Sequence, residues 1–270
     1  MIGAIIGDIV GSRWEFDPIN NYNFELFSAQ NDFTDDTICT IAVADAILKG
    51  EDYGVSIHKW CRRYSDPMGG YGGNFHRWVM SDYPQPYGSF GNGSAMRVSP
   101  VAWAFANEGT SEILAEAKRT AECTHNHPEG IKGAQAVALA IAHCRELHNK
   151  YERIGRAEVA EGLKQTVEMF EYDINIRRES VANKFDEICQ GTVPVAFWII
   201  HNSHSFEDAI RKTVSLGADA DTLGAIVGSI AEAIWEIPKS MKRRALSYLP
   251  DDMKRVLTEF DVEYLTLSAQ

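Results

Sequence analysis

The stretch "FTDDTICTIAVADAILKG", residues 33–50, marks a helix with an unusual start. Apolar residues dominate from Ile38 onward, and a lysine followed by Gly50 is typical of a helix end. One threonine or aspartate before such a helix would be an ordinary cap. Here Asp35 and Asp36 stand together between two threonines. This doubled acid predicts a partner elsewhere in the chain.

Helical periodicity recurs along the sequence, and Pro128 and Pro194 fall near expected helix starts, where proline is tolerated. No alternating strand segments with hairpin turns are present, so we predict an all-α fold with one domain over residues 1–270. Residues 16–33 and 65–93 are rich in Asn, Asp, Gly, Pro and aromatic residues, which predicts loops over a cleft. The further predicted helical segments are 111–125, 128–147, 156–170, 192–202, 205–216, 222–235 and 238–250.

Composition excludes several classes of function. A net charge of −12 argues against a nucleic-acid surface, because phosphate binding needs a basic patch. The basic run at 239–246 alternates with apolar residues and is interpreted as the solvated face of a late helix. The five cysteines show neither a disulfide framework nor zinc spacing, which favours the reducing cytoplasm. The N-terminus lacks the positive flank of a signal peptide, and no stretch reaches the roughly 20 apolar residues of a membrane span.

Glycines recur at intervals of four residues in two places. Gly3, Gly7 and Gly11 form one set, and Gly224 and Gly228 form the other. On a helix, each set would lie on one face and let another backbone approach closely. Because a glycine inside a helix costs about 1 kcal/mol relative to alanine, the repetition predicts close packing rather than loose turns.

A second acidic helix start, "GADADTLGAIVGSIAEAIW" at 217–235, places Asp219, Asp221 and Thr222 before a small-residue helix. Either start alone is most simply a helix cap. Together they offer four carboxylates, whose mutual repulsion needs a counter-charge if they meet. Oxygen ligands of this kind suit magnesium, manganese or calcium. We therefore predict a split site for two divalent cations, which in hydrolytic sites lie roughly 3.5–4 Å apart.

Five blocks of sequence carry a resemblance to one family. They are "GDIVGSRWE" at 7–15, "TDDT" at 34–37, "GSFGNGSAMR" at 88–97, "THNHPEG" at 124–130 and "DADT" at 219–222. Their order and content resemble the ADP-ribosylglycohydrolases. The resemblance implies a single-domain orthogonal helical bundle with two Mg²⁺ or Mn²⁺ ions at the base of an ADP-ribose cleft. It also implies hydrolysis at the anomeric carbon of an ADP-ribosylated protein or a small ADP-ribosyl conjugate.

The resemblance assigns roles by position. The implied metal ligands are Thr34, Asp35, Asp36, Asp219, Asp221 and Thr222. The implied substrate-binding residues are Gly88, Ser89, Phe90, Gly91, Asn92, Gly93 and His125. The implied catalytic residues are Glu15, Asp35, Asp36 and Asp221, and either Glu15 or an aspartate would handle the proton. Glycines in the 88–93 loop would let backbone N–H groups face an anion, with residues 96–98 continuing into a helix.

Other polar and aromatic residues are interpreted as structural. Asp8, Asp32 and His127 are given no site role, and Trp14, Trp60, Trp78 and Trp198 are assigned to the core. Phe90 could pack on a ribose or base. Ala218 and Ser94 depart from the family pattern without removing a ligand atom. Ser89 favours O-linked ADP-ribose, such as serine adducts, over arginine-linked ADP-ribose.

Two alternatives remain at this level. A magnesium-dependent isoprenoid diphosphate enzyme also uses acidic helix motifs, but Cys39 stands where a further aspartate is expected and basic residues are lacking. A non-catalytic ADP-ribose-binding or regulatory protein of the same fold is the other alternative. Loss of ligand residues would favour it, and all six are present.

Overall fold

A computed structural model describes residues 1–265 of the chain. Over these residues there are fifteen α-helices, a π-helical turn at Asp261–Leu265 and no β-strand, so the all-α prediction is confirmed. The helices are α1 (Ile2–Ser12), α2 (Asp35–Lys49), α3 (Tyr53–Arg63), α4 (Gly73–Met80), α5 (Gly93–Met96), α6 (Ser99–Ala104), α7 (Thr110–Glu122), α8 (Pro128–Lys150), α9 (Arg156–Met169), α10 (Arg178–Val181), α11 (Cys189–His201), α12 (Phe206–Val214), α13 (Ala220–Glu232), α14 (Lys239–Leu246) and α15 (Asp251–Phe260).

The helix predicted from the opening stretch is α2. Thr34 caps its start, because its side chain accepts a hydrogen bond from the backbone N–H of Asp36. Gly50 ends it in the left-handed conformation, with φ of 61°, and donates its N–H to the carbonyls of the last turn. These two ends fix the position of the acidic pair at the N-terminus of a buried helix.

Helices α1 and α13 cross in direct backbone contact through the two glycine sets. A Cβ atom added at Gly7 would lie 1.8 Å from the carbonyl oxygen of Gly224, and one added at Gly3 would lie 2.3 Å from that of Gly228. The predicted close packing is therefore confirmed. Gly11, at the C-terminal end of α1, meets Ala220 at the start of α13. The helices are antiparallel, and the acidic start of α13 lies beside the residues that follow α1.

The structure corrects two expectations, one about a predicted loop and one about the position of a proline. Residues 65–93 contain a helix, α4, in which Phe75 and Trp78 are buried. Pro194 lies well inside α11, five residues after its first residue, rather than near its start. Pro128 does begin α8. The basic run at 239–246 is α14, with its charged side chains exposed and Met241 and Ala245 buried, as predicted.

The core is a continuous cluster of buried apolar side chains that includes α1, α2 and α13. Trp14, Trp60 and Trp78 belong to it, whereas Trp198 is only half-buried. All five cysteines are free thiols. Among residues 1–265, no helix combines the length and apolar character needed to cross a bilayer.

Candidate functional site

The two acidic helix starts lie side by side at one end of the α1–α13 pair. Thr222, in the first turn of α13, donates its hydroxyl to Asp36 Oδ2 at 3.2 Å, across 186 positions of sequence. Thr34 Oγ1 lies 3.2 Å from the same oxygen. Asp36 and Thr34 are buried, whereas Asp35 is half-buried and lines a cleft. The fold thus joins residues that the sequence keeps far apart.

Carboxylates converge there in two overlapping groups. Asp8, Asp36 and Asp221 can each place an oxygen within 4.8 Å of the others, and so can Glu15, Asp219 and Asp221. Asp221 belongs to both groups. Two sets of oxygen donors that share one carboxylate are suited to two adjacent divalent cations.

Asp8 is the residue that sequence reasoning missed, since it was given no site role. It is fully buried on α1 and accepts hydrogen bonds from the backbone N–H groups of Thr34 and Thr37, each at 3.0 Å. The Thr37 hydroxyl also bonds to it, and Thr34 Oγ1 lies 2.8 Å from its other oxygen. Asp8 therefore anchors the start of α2 while contributing to the acidic cluster. A lone acid within an apolar helix was the available signal.

Burial and mutual repulsion raise the pKa values of these acids. Burial, followed by the charge of Asp221, raises the pKa of Asp8 to about 7 and that of Glu15 to about 9. Burial also raises the pKa of Asp221. The same two causes raise the pKa well above its usual range in Asp35, Asp36 and Asp219. Without a cation, the carboxylates of this cluster therefore repel one another and favour their protonated forms.

The residues present fit divalent cations. Asp36 Oδ1 and Asp221 Oδ1 are buried and have no hydrogen-bond partner among the described residues. An unpartnered buried carboxylate oxygen is costly, and a cation would supply the missing partner. The donors are oxygen atoms, with no imidazole or thiolate within either carboxylate group, which favours magnesium, manganese or calcium over zinc.

Glu15 lies on the segment that follows α1 and lines the cleft beside the acidic cluster. One of its carboxylate oxygens lies within 4.8 Å of an oxygen of Asp219 and of Asp221. Gly69, with φ of 78°, lies against it, because a Cβ there would come within 2.6 Å of Glu15 Oε2. The absence of a side chain at Gly69 gives the glutamate its space.

A cleft of about 450 Å³ joins this acidic end to two glycine-rich loops. Residues 69–73 form one wall, and Ser89, Gly91, Asn92 and Gly93 form part of the other. Gly88 and Phe90 do not line it. Residues 17–33 are also absent from its walls, so only part of the predicted loop covering is present. Asn92 Nδ2 donates to Asp219 Oδ2 at 2.8 Å and so connects the 88–93 loop to the acidic cluster.

The backbone of the 88–93 loop differs from the sequence-based expectation. The N–H groups of Gly88, Gly91 and Asn92 donate to Asn126 Oδ1, Ser89 Oγ and the Glu187 carbonyl, respectively. One of these bonds lies within the loop and the other two join it to Asn126 and Glu187, so these three N–H groups already have acceptors in the protein. The helix begins at Gly93 and ends at Met96, so it does not continue through residues 96–98.

The two histidines near this loop have different surroundings. His125 is buried beside Gly91 and Gly93 and lines the cleft. His127 caps α8, since its Nδ1 accepts from the Glu129 N–H at 3.2 Å, which agrees with its structural interpretation. Phe90 packs on His127, with ring centroids 5.1 Å apart, and is partly exposed.

Comparison with known proteins identifies the family to which this chain belongs. The family model of ADP-ribosylglycohydrolase matches residues 1–266. The chain therefore belongs to the ADP-ribosylglycohydrolase family. This membership excludes the isoprenoid diphosphate alternative.

Individual relatives with low sequence identity are named as ADP-ribosyl hydrolases. ADP-ribosylarginine hydrolase Tri1 of Pseudomonas putida strain GB-1 is 25% identical, over 88% of this chain and 70% of its own. ADP-ribosylhydrolase ARH3 of Mus musculus is 24% identical, over 94% of this chain and 88% of its own. A solved structure of an ADP-ribosylglycohydrolase-related protein complex superposes with a TM-score of 0.70 at 21% identity, covering 97% of both chains, which shows the shared fold.

Proposed function

We propose that this protein is a metal-dependent hydrolase that removes ADP-ribose from modified protein side chains or from a small ADP-ribosyl adduct. The bond cleaved is the one at the anomeric carbon of the distal ribose. Family membership supports the class of reaction. The observation that carries the proposal is the convergence of the two acidic helix starts, linked by Thr222 and Asp36, at the end of a cleft.

The proposed cofactor is a pair of divalent cations, Mg²⁺ or Mn²⁺. The proposed ligands are Thr34, Asp35, Asp36, Asp219, Asp221 and Thr222. Of these ligands, Asp36, Asp219 and Asp221 belong to the two carboxylate groups, and Asp36 and Asp221 each have a buried oxygen without a hydrogen-bond partner among residues 1–265. When bound, such cations would supply Lewis acidity. Asp8 holds the start of α2 in place, and Asn92 orients Asp219.

Cleavage at an anomeric carbon passes through an oxocarbenium-like state, and a proton must reach the leaving group. Glu15 is our candidate to hold that proton, because its carboxyl group lines the cleft beside the acidic cluster and is not among the proposed cation ligands. Asp35 also lines the cleft. Asp36 and Asp221 complete the proposed catalytic set through the cations that they would hold.

The substrate proposal has two parts. The cleft residues of the 88–93 loop, together with His125, would bind the diphosphate and the adjoining ribose. The modified partner would be an ADP-ribosylated protein or a small conjugate. Ser89 favours O-linked over arginine-linked adducts, although one relative is named as an ADP-ribosylarginine hydrolase. Occurrence in the cytoplasm and a single domain over residues 1–270 remain predictions from the sequence.

A direct assay separates this function from non-catalytic binding. Purified protein with Mg²⁺ or Mn²⁺ is incubated with serine-modified and arginine-modified proteins, and free ADP-ribose is measured. We expect release from at least one substrate, faster from the serine adduct, and no release after chelation. Binding of ADP-ribose without release from either substrate would establish the non-catalytic alternative. Faster release from the arginine adduct would reverse the linkage proposal.

A further inference from the structure

A buried series of three polar side chains lies behind the 88–93 loop. Arg97, which follows α5, is fully buried, and its Nη2 donates to the Thr120 carbonyl and to Thr124 Oγ1, both at 2.8 Å. Thr124 Oγ1 in turn lies 2.7 Å from Nδ1 of His125. The series therefore connects a buried cation to the histidine that lines the cleft.

The chemistry of the groups sets the direction of the hydrogen bonds. A guanidinium group only donates, so the Thr124 hydroxyl accepts from Arg97 and retains its own proton for donation. The acceptors in reach of that proton are the sulfur of Cys123 and Nδ1 of His125. Thiol sulfur is a weak acceptor, whereas the imidazole nitrogen is a good one. The Thr124 hydroxyl therefore donates to Nδ1.

A neutral imidazole carries a single N–H, so acceptance at Nδ1 places the proton on Nε2. That nitrogen faces the loop: a Cβ added at Gly91 would lie 3.4 Å from it, and one at Gly93 would lie 3.2 Å from it. Burial, followed by the charge of Arg97, holds the pKa of His125 well below its usual range. The ring thus stays neutral, with its one donor directed at the wall of the cleft.

We propose that Arg97 and Thr124 are positioning residues that hold His125 as an Nε2–H donor toward an oxygen of the bound diphosphate. This inference rests on the proposed function for the identity of the ligand. In the other tautomer, an Nε2 lone pair would face the phosphate oxygen and repel it. Because three N–H groups of the loop already have acceptors in the protein, a fixed side-chain donor would contribute to diphosphate binding at this wall.

The test measures the tautomer and the affinity separately. Histidine labelled with ¹⁵N reports the protonated nitrogen of His125 in the ligand-free protein, with the resonance assigned by its loss in His125→Gln. Calorimetry with ADP-ribose in the presence of Mg²⁺ gives the dissociation constant. Thr124→Val removes the hydroxyl at nearly constant shape, and Thr124→Ser restores it. Thr120→Val is the matched control, since the Thr120 hydroxyl donates to the Ala117 carbonyl of its own helix and not to His125.

We expect the Nε2–H tautomer in the wild-type protein, in Thr124→Ser and in Thr120→Val. In Thr124→Val we expect a mixture of tautomers and ADP-ribose binding weakened roughly tenfold, as for one lost hydrogen bond to a charged group. An Nδ1–H wild-type ring, or a Thr124→Val variant with unchanged tautomer and affinity, would overturn the inference. Failure of the wild-type protein to bind ADP-ribose would instead refute the proposed function, while the tautomer spectrum would still report on Arg97 and Thr124.

Discussion

Asp221 shows at the scale of one residue how burial and charge combine in this site. It belongs to both carboxylate groups, and its charge appears among the causes that raise the pKa of Asp8, Glu15 and Asp36. One of its own oxygens, Oδ1, is buried and has no hydrogen-bond partner among residues 1–265. A buried, shared carboxylate of this kind destabilises the folded protein in the absence of cations, and bound cations would remove that cost.

Replacement of Asp36 by asparagine tests the ligand role of a single carboxylate. Asp36→Asn removes one charge from the repulsive cluster, so we expect the melting temperature in chelator to be unchanged or higher. Release of ADP-ribose should fall at least about 100-fold, and stabilisation by Mn²⁺ should shrink, because cation binding to the folded state is weakened. Differential scanning fluorimetry and the release assay measure both effects.

The matched control for this variant is Asp45→Asn in the same helix. Asp45 is also buried, but it accepts from Trp60 Nε1 and pairs with Lys49. We expect this variant to lose stability and to keep the full response to Mn²⁺. Wild-type turnover together with a wild-type Mn²⁺ response in Asp36→Asn would refute the ligand assignment.

The raised pKa values of Asp8 and Glu15 predict a pH dependence of stability without cations. Both acids bind more protons in the folded than in the unfolded state, so the free energy of unfolding falls as pH rises through pKa values of about 7 and 9. We expect melting temperatures in chelator to decrease from pH 5 to pH 9, and less steeply with saturating Mg²⁺. Glu15→Gln should flatten the upper part of the decrease. A melting temperature that rises over this range would contradict the prediction.

At the scale of elements, the α1–α13 contact positions the site. Glycines at the crossing let the two backbones touch, and the antiparallel arrangement brings the start of α13 to the end of α1. The segment with Glu15 and the helix start with Asp219 and Asp221 therefore share one end of the pair. The geometry of the site therefore depends on the glycines at the α1–α13 crossing, which have no side chains to hold the two helices apart.

Gly7→Ala tests this dependence. The added Cβ would lie 1.8 Å from a backbone oxygen of Gly224, so the helices must separate. We expect the free energy of unfolding in urea to fall by roughly 3 kcal/mol, the upper range for overpacking. Gly72→Ala is the control, since its Cβ would meet nothing within 4 Å. Equal stability of the two variants would contradict the proposed role of the crossing.

The sequence predicted helices well where apolar periodicity and end signals agreed, as in α2, α7 and α8. It missed α4, because residues 69–74 are mostly glycine and asparagine and resemble a loop. The helix there is stabilised by burial of Phe75 and Trp78, which is a tertiary effect. Propensity alone could not show it.

At the scale of the whole molecule, the protein carries a charge of −12, yet its proposed ligand is a diphosphate. The long-range field therefore repels the ligand, and attraction must come from local sources: bound cations, Arg97 and the His125 donor. By family resemblance, the sequence blocks pointed to the cleft residues of the acidic cluster and of the 88–93 loop, and to His125, but not to the wall at residues 69–73. The role of Asp8 could not be predicted, because it depends on α1 lying across the start of α2.

This charge balance predicts an unusual salt dependence of association. Because screening weakens the repulsion between two net negative partners, we expect the association rate of ADP-ribose, with Mg²⁺ constant, to rise when ionic strength increases from about 20 to about 200 mM. Stopped-flow fluorescence measures the rate, and uncharged adenosine serves as the control ligand. A rate that falls with salt would contradict this prediction and would indicate steering by a positively charged surface.

The central claim is that two distant helix starts hold a pair of divalent cations. The most direct measurement is an anomalous difference map from crystals of the protein grown with Mn²⁺. We predict two peaks on either side of Asp221, one facing Asp8 and Asp36 and the other facing Glu15 and Asp219. A map without manganese at these carboxylates, or with manganese only elsewhere, would contradict the claim.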